Sequence, residues 1–126
     1  MPGAACLITL TLIARLSWYD PGLCAFAPIN CFDPASPFHM ASGEDARDWY
    51  GRVLACPPEY ALGTVFVISG SRWGLADGRW RCLDRGGAVI TEPNGTLRLD
   101  LLSASPVWAE VIPVSLMFRT TCRPAE

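Results

Sequence analysis

The sequence predicts a small all-β barrel of about six strands, with one short helix and a long Pro-rich loop. Short segments alternate apolar and polar residues with the period of two that a half-buried strand requires. Turn formers separate them, with Gly and Pro present 11 times each. The chain is 126 residues long, enough to bury one core of moderate size and too short for two, so residues 1–126 read as a single domain.

The first strand is read where Ile8, Leu10 and Leu12 alternate with Thr9 and Thr11, and Leu16 and Trp18 with Arg15 and Ser17. Residues 1–14 contain no Lys or Arg and the threonines interrupt the apolar residues, so the segment reads as an integral strand and not as a signal peptide. Tyr19-Asp20-Pro21-Gly22 is a turn signature, and Pro21, Pro28, Pro34 and Pro37 make residues 20–37 a long loop. Residues 42–51 open with a polar residue, place Glu44 and Asp45 in a first turn and close on Gly51, the pattern of one short helix. Strands follow at 52–56 and 63–68, separated by Pro57-Pro58, then at 79–84 after the glycines at 70, 74 and 78. Pro93-Asn94-Gly95 makes residues 91–96 a hairpin loop leading into a strand over 97–102, and residues 107–118 supply one more.

All ten basic residues are Arg and the formal charge is -2, so the basic footprint of a phosphate-backbone binder is missing and nucleic acid is not an expected partner. No run of about 18 apolar residues predicts a membrane-inserted helix. Six cysteines in a chain this short favour an oxidising destination, extracellular, in the cell envelope or in a virion. Cys24 and Cys31 lie in the long loop, where a bridge would close a segment with little core of its own. There is no CxxC pair, and the lone His39 has no second His at ligand spacing, so neither a metal nor another cofactor is expected. His39 reads as a surface or packing residue.

Two carboxylates stand out because each lies inside apolar, strand-like sequence, where an unpaired charge is costly to bury: Asp84 before Arg85-Gly86-Gly87, and Asp100 within Leu97-Arg98-Leu99-Asp100-Leu101-Leu102. Together they form a candidate acid/base site. Each also has a structural alternative. Asp84 could stabilise a Gly-rich turn through backbone N–H groups, and Asp100 could pair with Arg98 on the same strand face.

Met40-Ala41-Ser42-Gly43, Ala55-Cys56-Pro57 with Leu62-Gly63-Thr64, Asp84-Arg85-Gly86-Gly87-Ala88 and Arg98-Leu99-Asp100-Leu101 occur in an order that resembles the 3D domain. Ser17-Trp18-Tyr19-Asp20-Pro21 resembles that family's first strand and turn, so the likeness runs from about Arg15 to Leu102. The family is a six-stranded double-psi β-barrel shared with membrane-bound lytic transglycosylase A, rare lipoprotein A, expansins and family 45 endoglucanases, which implies a barrel core over about residues 15–118. The resemblance implies binding, and often lytic cleavage, of a glycan strand of the peptidoglycan type. Asp100 maps onto the single acid/base and Asp84 onto the supporting aspartate.

The chain departs from the family pattern at Cys56, which stands before Pro57 where the family has its first aspartate, and in a longer segment between Asp84 and Asp100. The family fold places that first aspartate near the second, and Cys82 and Asp84 are read as sharing a strand face. A Cys56–Cys82 disulfide would then take the place of the missing carboxylate. Cys6 is expected to pair with Cys122 only if the first and last strands are neighbours. Trp18, Trp49, Trp73 and Trp80 are candidate sugar-stacking residues, although large aromatics in a small chain are more often core.

Three functional classes follow: a peptidoglycan lytic transglycosylase or glycoside hydrolase acting through Asp100; a non-catalytic, expansin-like glycan-binding barrel; or a structural module of a phage tail or other cell-wall-facing assembly.

Overall fold

The computed structural model describes residues 5–121. Six strands, β1 (Ala5–Tyr19), β2 (Val53–Ala55), β3 (Val65–Ile68), β4 (Gly78–Asp84), β5 (Leu97–Leu102) and β6 (Val111–Thr121), close into a barrel in the order β1-β5-β2-β4-β3-β6. β1 runs parallel to β5 and β2 parallel to β4, while the other four neighbours are antiparallel. The expected all-β small barrel is therefore what the chain forms.

Period-two alternation fills this barrel. Ala14 and Leu16 from β1, Leu54 from β2, Phe66 and Ile68 from β3, Trp80 and Cys82 from β4, Leu97, Leu99 and Leu101 from β5 and Val114 from β6 form one buried cluster. The opposite faces of β1, β2, β4 and β5 carry a second cluster: Tyr19, Val53, Ala55, Leu83 and Leu102 pack under Met40, Ala46, Val89 and the partly buried Phe38, Trp49 and Tyr50. The segment around residues 38–50 is thus an outer layer covering the β5-β2-β4 wall.

That layer is where the expected helix over residues 42–51 is replaced by a single 3-10 turn, Ala46–Asp48. The Asp45 carboxylate caps this turn by accepting from Arg47 N, and Gly43 and Gly51 adopt φ of 90° and 79°, outside the helical region. The Ala46 N–H is spent on Phe38 O and the Met40 N–H on Glu44 O. Backbone groups that a helix would pair internally instead fasten the layer to itself. Residues 20–37 form the expected irregular loop, carrying the 3-10 turns Pro21–Leu23 and Pro28–Asn30. Among the described residues no helix is long and apolar enough to cross a membrane.

Cys24–Cys31 closes the loop, with Cα atoms 5.6 Å apart, and Cys56–Cys82 joins the end of β2 to β4 at 5.8 Å. Such bridges belong to proteins that mature in oxidising surroundings. β1 and β6 are neighbours, with Cys6 opposite Thr120; Cys122 lies outside the described residues.

Candidate functional site

Ala55 organises the site. It is the register partner of Asp84 on β4 and of Asp100 on β5, so the two carboxylates flank one methyl group, each one strand away. Asp100 reaches this face by simple alternation: Leu99 and Leu101 point into the barrel, so Asp100 points out. Asp84 arrives differently. The β2–β4 register passes from Leu54↔Cys82 to Ala55↔Asp84, an extra residue that turns Leu83 and Asp84 to the outer side while Cys82 stays in the core. The expectation that Cys82 and Asp84 share a face is therefore corrected. The disulfide forms, yet it lies within the barrel core and not beside the carboxylates. Its cover is Arg85, whose guanidinium donates to Cys56 O (3.2 Å), Pro57 O (3.1 Å) and Tyr60 O (2.6 Å) and sits 3.0 Å from Cys56 Sγ.

Asp84 is held from three sides. Its Oδ2 accepts from the buried Tyr19 hydroxyl at 2.8 Å, and its Oδ1 accepts from Ala41 N at 3.0 Å and Arg85 N at 2.9 Å. The turn-stabilising alternative thus describes part of what Asp84 does. Burial, then the neighbouring Asp84 charge, pushes the Tyr19 hydroxyl far above the usual tyrosine range, so it remains a donor. Asp100 is held less completely: its Oδ1 accepts from Ser17 Oγ at 2.8 Å, and among the described residues Oδ2 has no donor. Burial raises the Asp100 pKa from 3.8 to about 6; the Ser17 hydrogen bond pulls it down, and the Asp84 charge pushes it further up. Arg98 does not neutralise it. That guanidinium lies 3.8 Å from Glu92, which also binds Arg15 at 2.9 Å, so the pairing alternative for Asp100 is not realised.

Both carboxylates open into a cleft of about 140 Å³, floored by Tyr19 and Ala55 and walled by Arg85, Gly86 and Gly87 on one side and Ile29, Asn30 and Phe32 of the disulfide-closed loop on the other. Past Met40 and His39 it continues into a recess of about 280 Å³. A Cβ at Gly86 would stand 2.9 Å from Val89 Cγ2, so any larger residue there would force the Val89 side chain to shift. Exposed His39 pairs with Asp45 across a short bridge at the rim.

None of the four candidate tryptophans lines the cleft. Trp80 is only 3% exposed and donates its indole N–H to Ala76 O at 2.9 Å, which makes it core and leaves no face for a sugar. Trp49 packs on the outer layer beneath the Arg52 guanidinium, and Trp18 is half-buried beside Leu101. Trp73 is 77% exposed and stands elsewhere, edge-on to Trp108 with ring centres 5.5 Å apart. The aromatic groups at the cleft are Tyr19 and the exposed Phe32. Ser17 and Tyr19, two residues apart on one face of β1, are the members that reading by motif leaves unassigned. Their signal is the strand alternation that puts both opposite the Asp100 side of β5.

Among the described residues no group of three or more His, Cys, Asp or Glu is placed to hold a metal ion. No protein-family model matches the chain, and no curated protein matches it.

Proposed function

We propose that this chain is a glycan-binding barrel of the double-psi, 3D-domain type that cleaves a peptidoglycan-type strand through Asp100. The observation that carries the reading is a carboxyl group of raised pKa that opens into a cleft with one oxygen uncommitted, beside a second carboxylate fixed by three donors. Support for the barrel type comes from the two parallel pairs, β1 with β5 and β2 with β4, interleaved with antiparallel ones, a crossing connectivity that an up-and-down barrel lacks.

With a pKa of about 6, Asp100 carries its proton in about a tenth of molecules at pH 7 and in half at pH 6. That neutral acid donates to the glycosidic oxygen as the bond from the sugar's anomeric carbon breaks. The resulting carboxylate takes the proton of the same sugar's 6-hydroxyl, whose oxygen bonds to the anomeric carbon and closes an anhydro ring. Asp100 ends as it began, and no second carboxylate acts as nucleophile, in contrast to two-carboxylate glycosidases. Asp84 sustains the Asp100 proton by charge and, through Tyr19 and Ala41, holds its own place.

A second reading, glycan binding without turnover as in an expansin-like barrel, is favoured by Cys56 standing where the resembled family has its first aspartate. Incubating purified peptidoglycan with the protein and analysing the products by mass spectrometry separates the two. Anhydromuramoyl ends that form with the wild type and not with Asp100→Asn support cleavage. Sedimentation with peptidoglycan and no new ends supports binding alone, and neither result refutes the glycan reading.

A further inference from the structure

We infer that Trp73, Trp108 and Arg72 form a second glycan-binding site, separate from the cleft, where a sugar ring stacks on the Trp73 indole and its oxygens accept from the Arg72 guanidinium. This rests on the glycan reading above and adds to it a non-catalytic anchor. Residues 69–77 join β3 to β4 and residues 103–110 lead into β6, so the site shares no residue with the cleft on the β5-β2-β4 wall.

Trp73 is poorly suited to a purely structural role. It is the one non-Gly residue with positive φ among the described residues, at φ 56° and ψ 18°, a left-handed conformation that a bulky side chain seldom adopts. Gly, already used at positive φ at positions 70 and 74, would hold it without strain. The indole stands largely in solvent, so burial offsets little of that strain. An outlier of this kind points to a use outside folding.

The loop fixes the indole outward. Ser71 and Ala76 are buried, and the residues between them are exposed. Asp77 Oδ1 accepts from Ser71 N at 2.9 Å and from Ser71 Oγ at 2.6 Å, that hydroxyl accepts from Ala76 N at 3.0 Å, and the Glu110 carboxylate accepts from Arg72 N at 3.0 Å. Trp108 meets Trp73 edge to face with the ring planes 85° apart. The Arg72 guanidinium lies 3.8 Å from the Trp108 ring centre and 5.5 Å from that of Trp73. Among the described residues no carboxylate or carbonyl accepts from that guanidinium, which leaves its N–H groups for a ligand.

This combination selects a sugar. One face of a pyranose is lined with C–H groups that pack on an indole, while its rim carries hydroxyl or carboxylate oxygens that accept from a guanidinium. Size argues against a folded partner. At about 250 Å² per indole, the exposed 77% of Trp73 and 40% of Trp108 offer about 300 Å², well short of the roughly 800 Å² per side of a stable protein interface. Because peptidoglycan presents many strands, a second weak site multiplies the affinity for the polymer and leaves cleavage of a short soluble fragment unchanged.

Binding to insoluble peptidoglycan, measured by sedimentation on the Asp100→Asn background so that nothing is cleaved, tests this. Trp73→Gly and Arg72→Gln should each raise the dissociation constant at least about 10-fold. Gly adopts the same backbone region and Arg72→Gln leaves the backbone untouched, so both variants should fold, which circular dichroism checks. Soluble peptidoglycan fragments should shift the tryptophan emission of the wild type to shorter wavelength, and not that of Trp73→Gly. With Asp100 intact, Trp73→Gly should release anhydromuramoyl ends from those fragments at the wild-type rate. Equal polymer binding by the Asp100→Asn protein and either added variant would overturn the anchor and leave the glycan reading standing, whereas a wild type that neither binds nor cleaves would overturn both. A wild-type dimer that Trp73→Gly dissociates, with peptidoglycan binding unchanged, would overturn the anchor in favour of a second copy of the chain.

Discussion

Replacing Asp100 by Asn should make the protein more stable at neutral pH and leave it unchanged in acid. The folded pKa of Asp100 is about 6 against an ordinary 3.8. A carboxyl group whose folded pKa is raised binds its proton more tightly in the native state, so its contribution to stability falls as pH rises through the interval between the two values. At 1.36 kcal/mol per pH unit, the gap of roughly two units amounts to about 3 kcal/mol, absent below pH 4 and complete above about pH 7. The amide keeps an oxygen for the Ser17 hydroxyl, 2.8 Å away, and carries no charge to desolvate. Urea unfolding of wild type and Asp100→Asn, measured in parallel from pH 3 to 8, isolates this contribution because all other titrating groups are common to both proteins. The curves should coincide near pH 3.5 and separate to about 3 kcal/mol by pH 7.5, a difference of roughly 10 °C in Tm for a domain of this size. A variant less stable than wild type at pH 7.5, or a difference that does not vary with pH, would mean that Asp100 is a compensated anion and would remove the basis for treating it as an acid.

If Asp100 is the acid, cleavage of peptidoglycan should fall as pH rises above about 6, because the protonated form is lost; a rate that climbs from pH 6 to 8 would contradict it. Tyr19→Phe removes one of three donors to Asp84 and should cost about 1–2 kcal/mol in urea unfolding. Ala55→Leu should push the Asp100 titration, followed by carboxyl NMR, further above 6 as the added methyl groups displace water from between the carboxylates, at a cost of about 1–3 kcal/mol in stability. The Cys56–Cys82 bridge closes a separation of 26 residues and Cys24–Cys31 one of 7. Paired Ala substitutions should therefore cost about 3.5 and 2.5 kcal/mol respectively, with the second mainly loosening the cleft wall.

The strands were legible because alternation is a local property: Leu97, Leu99 and Leu101 declare the inner face of β5, and with it the outward direction of Asp100. Asp84 was legible as a residue but not in its orientation. The extra residue at Leu83 that turns it outward is a register event between two strands whose paired residues lie 28 or 29 positions apart, and nothing in Arg81-Cys82-Leu83-Asp84 announces it. The helix expectation at residues 42–51 failed for a similar reason. Glu44 and Asp45 offer a plausible helix start, but the Ala46 amide and the Glu44 carbonyl found partners in Phe38 and Met40 of the covering layer. Trp80 looked like a platform residue because sequence cannot tell an inward indole from an outward one when both neighbours are Arg; alternation with core-facing Cys82 is the signal that assigns it.

Hanging the two carboxylates from either side of Ala55 divides the labour of the cleft between a stiff part and a soft one. Their backbones are separated by two strand spacings, about 9.5 Å, and no loop movement can alter that distance without breaking ladders of the barrel. The facing wall has no such constraint: residues 20–37 are held by their own turns, the hydrogen bond from Asp20 N to Asn30 Oδ1 and the Cys24–Cys31 disulfide, all internal to the loop, with the Tyr50 hydroxyl donating to Asp20 from the covering layer. Substitutions at Ile29, Asn30 and Phe32 can therefore reshape what enters the cleft while the acid and its neighbour keep their spacing. A change of ligand range is accordingly easier to reach in this chain than a change of chemistry, and libraries aimed at selectivity belong in the loop.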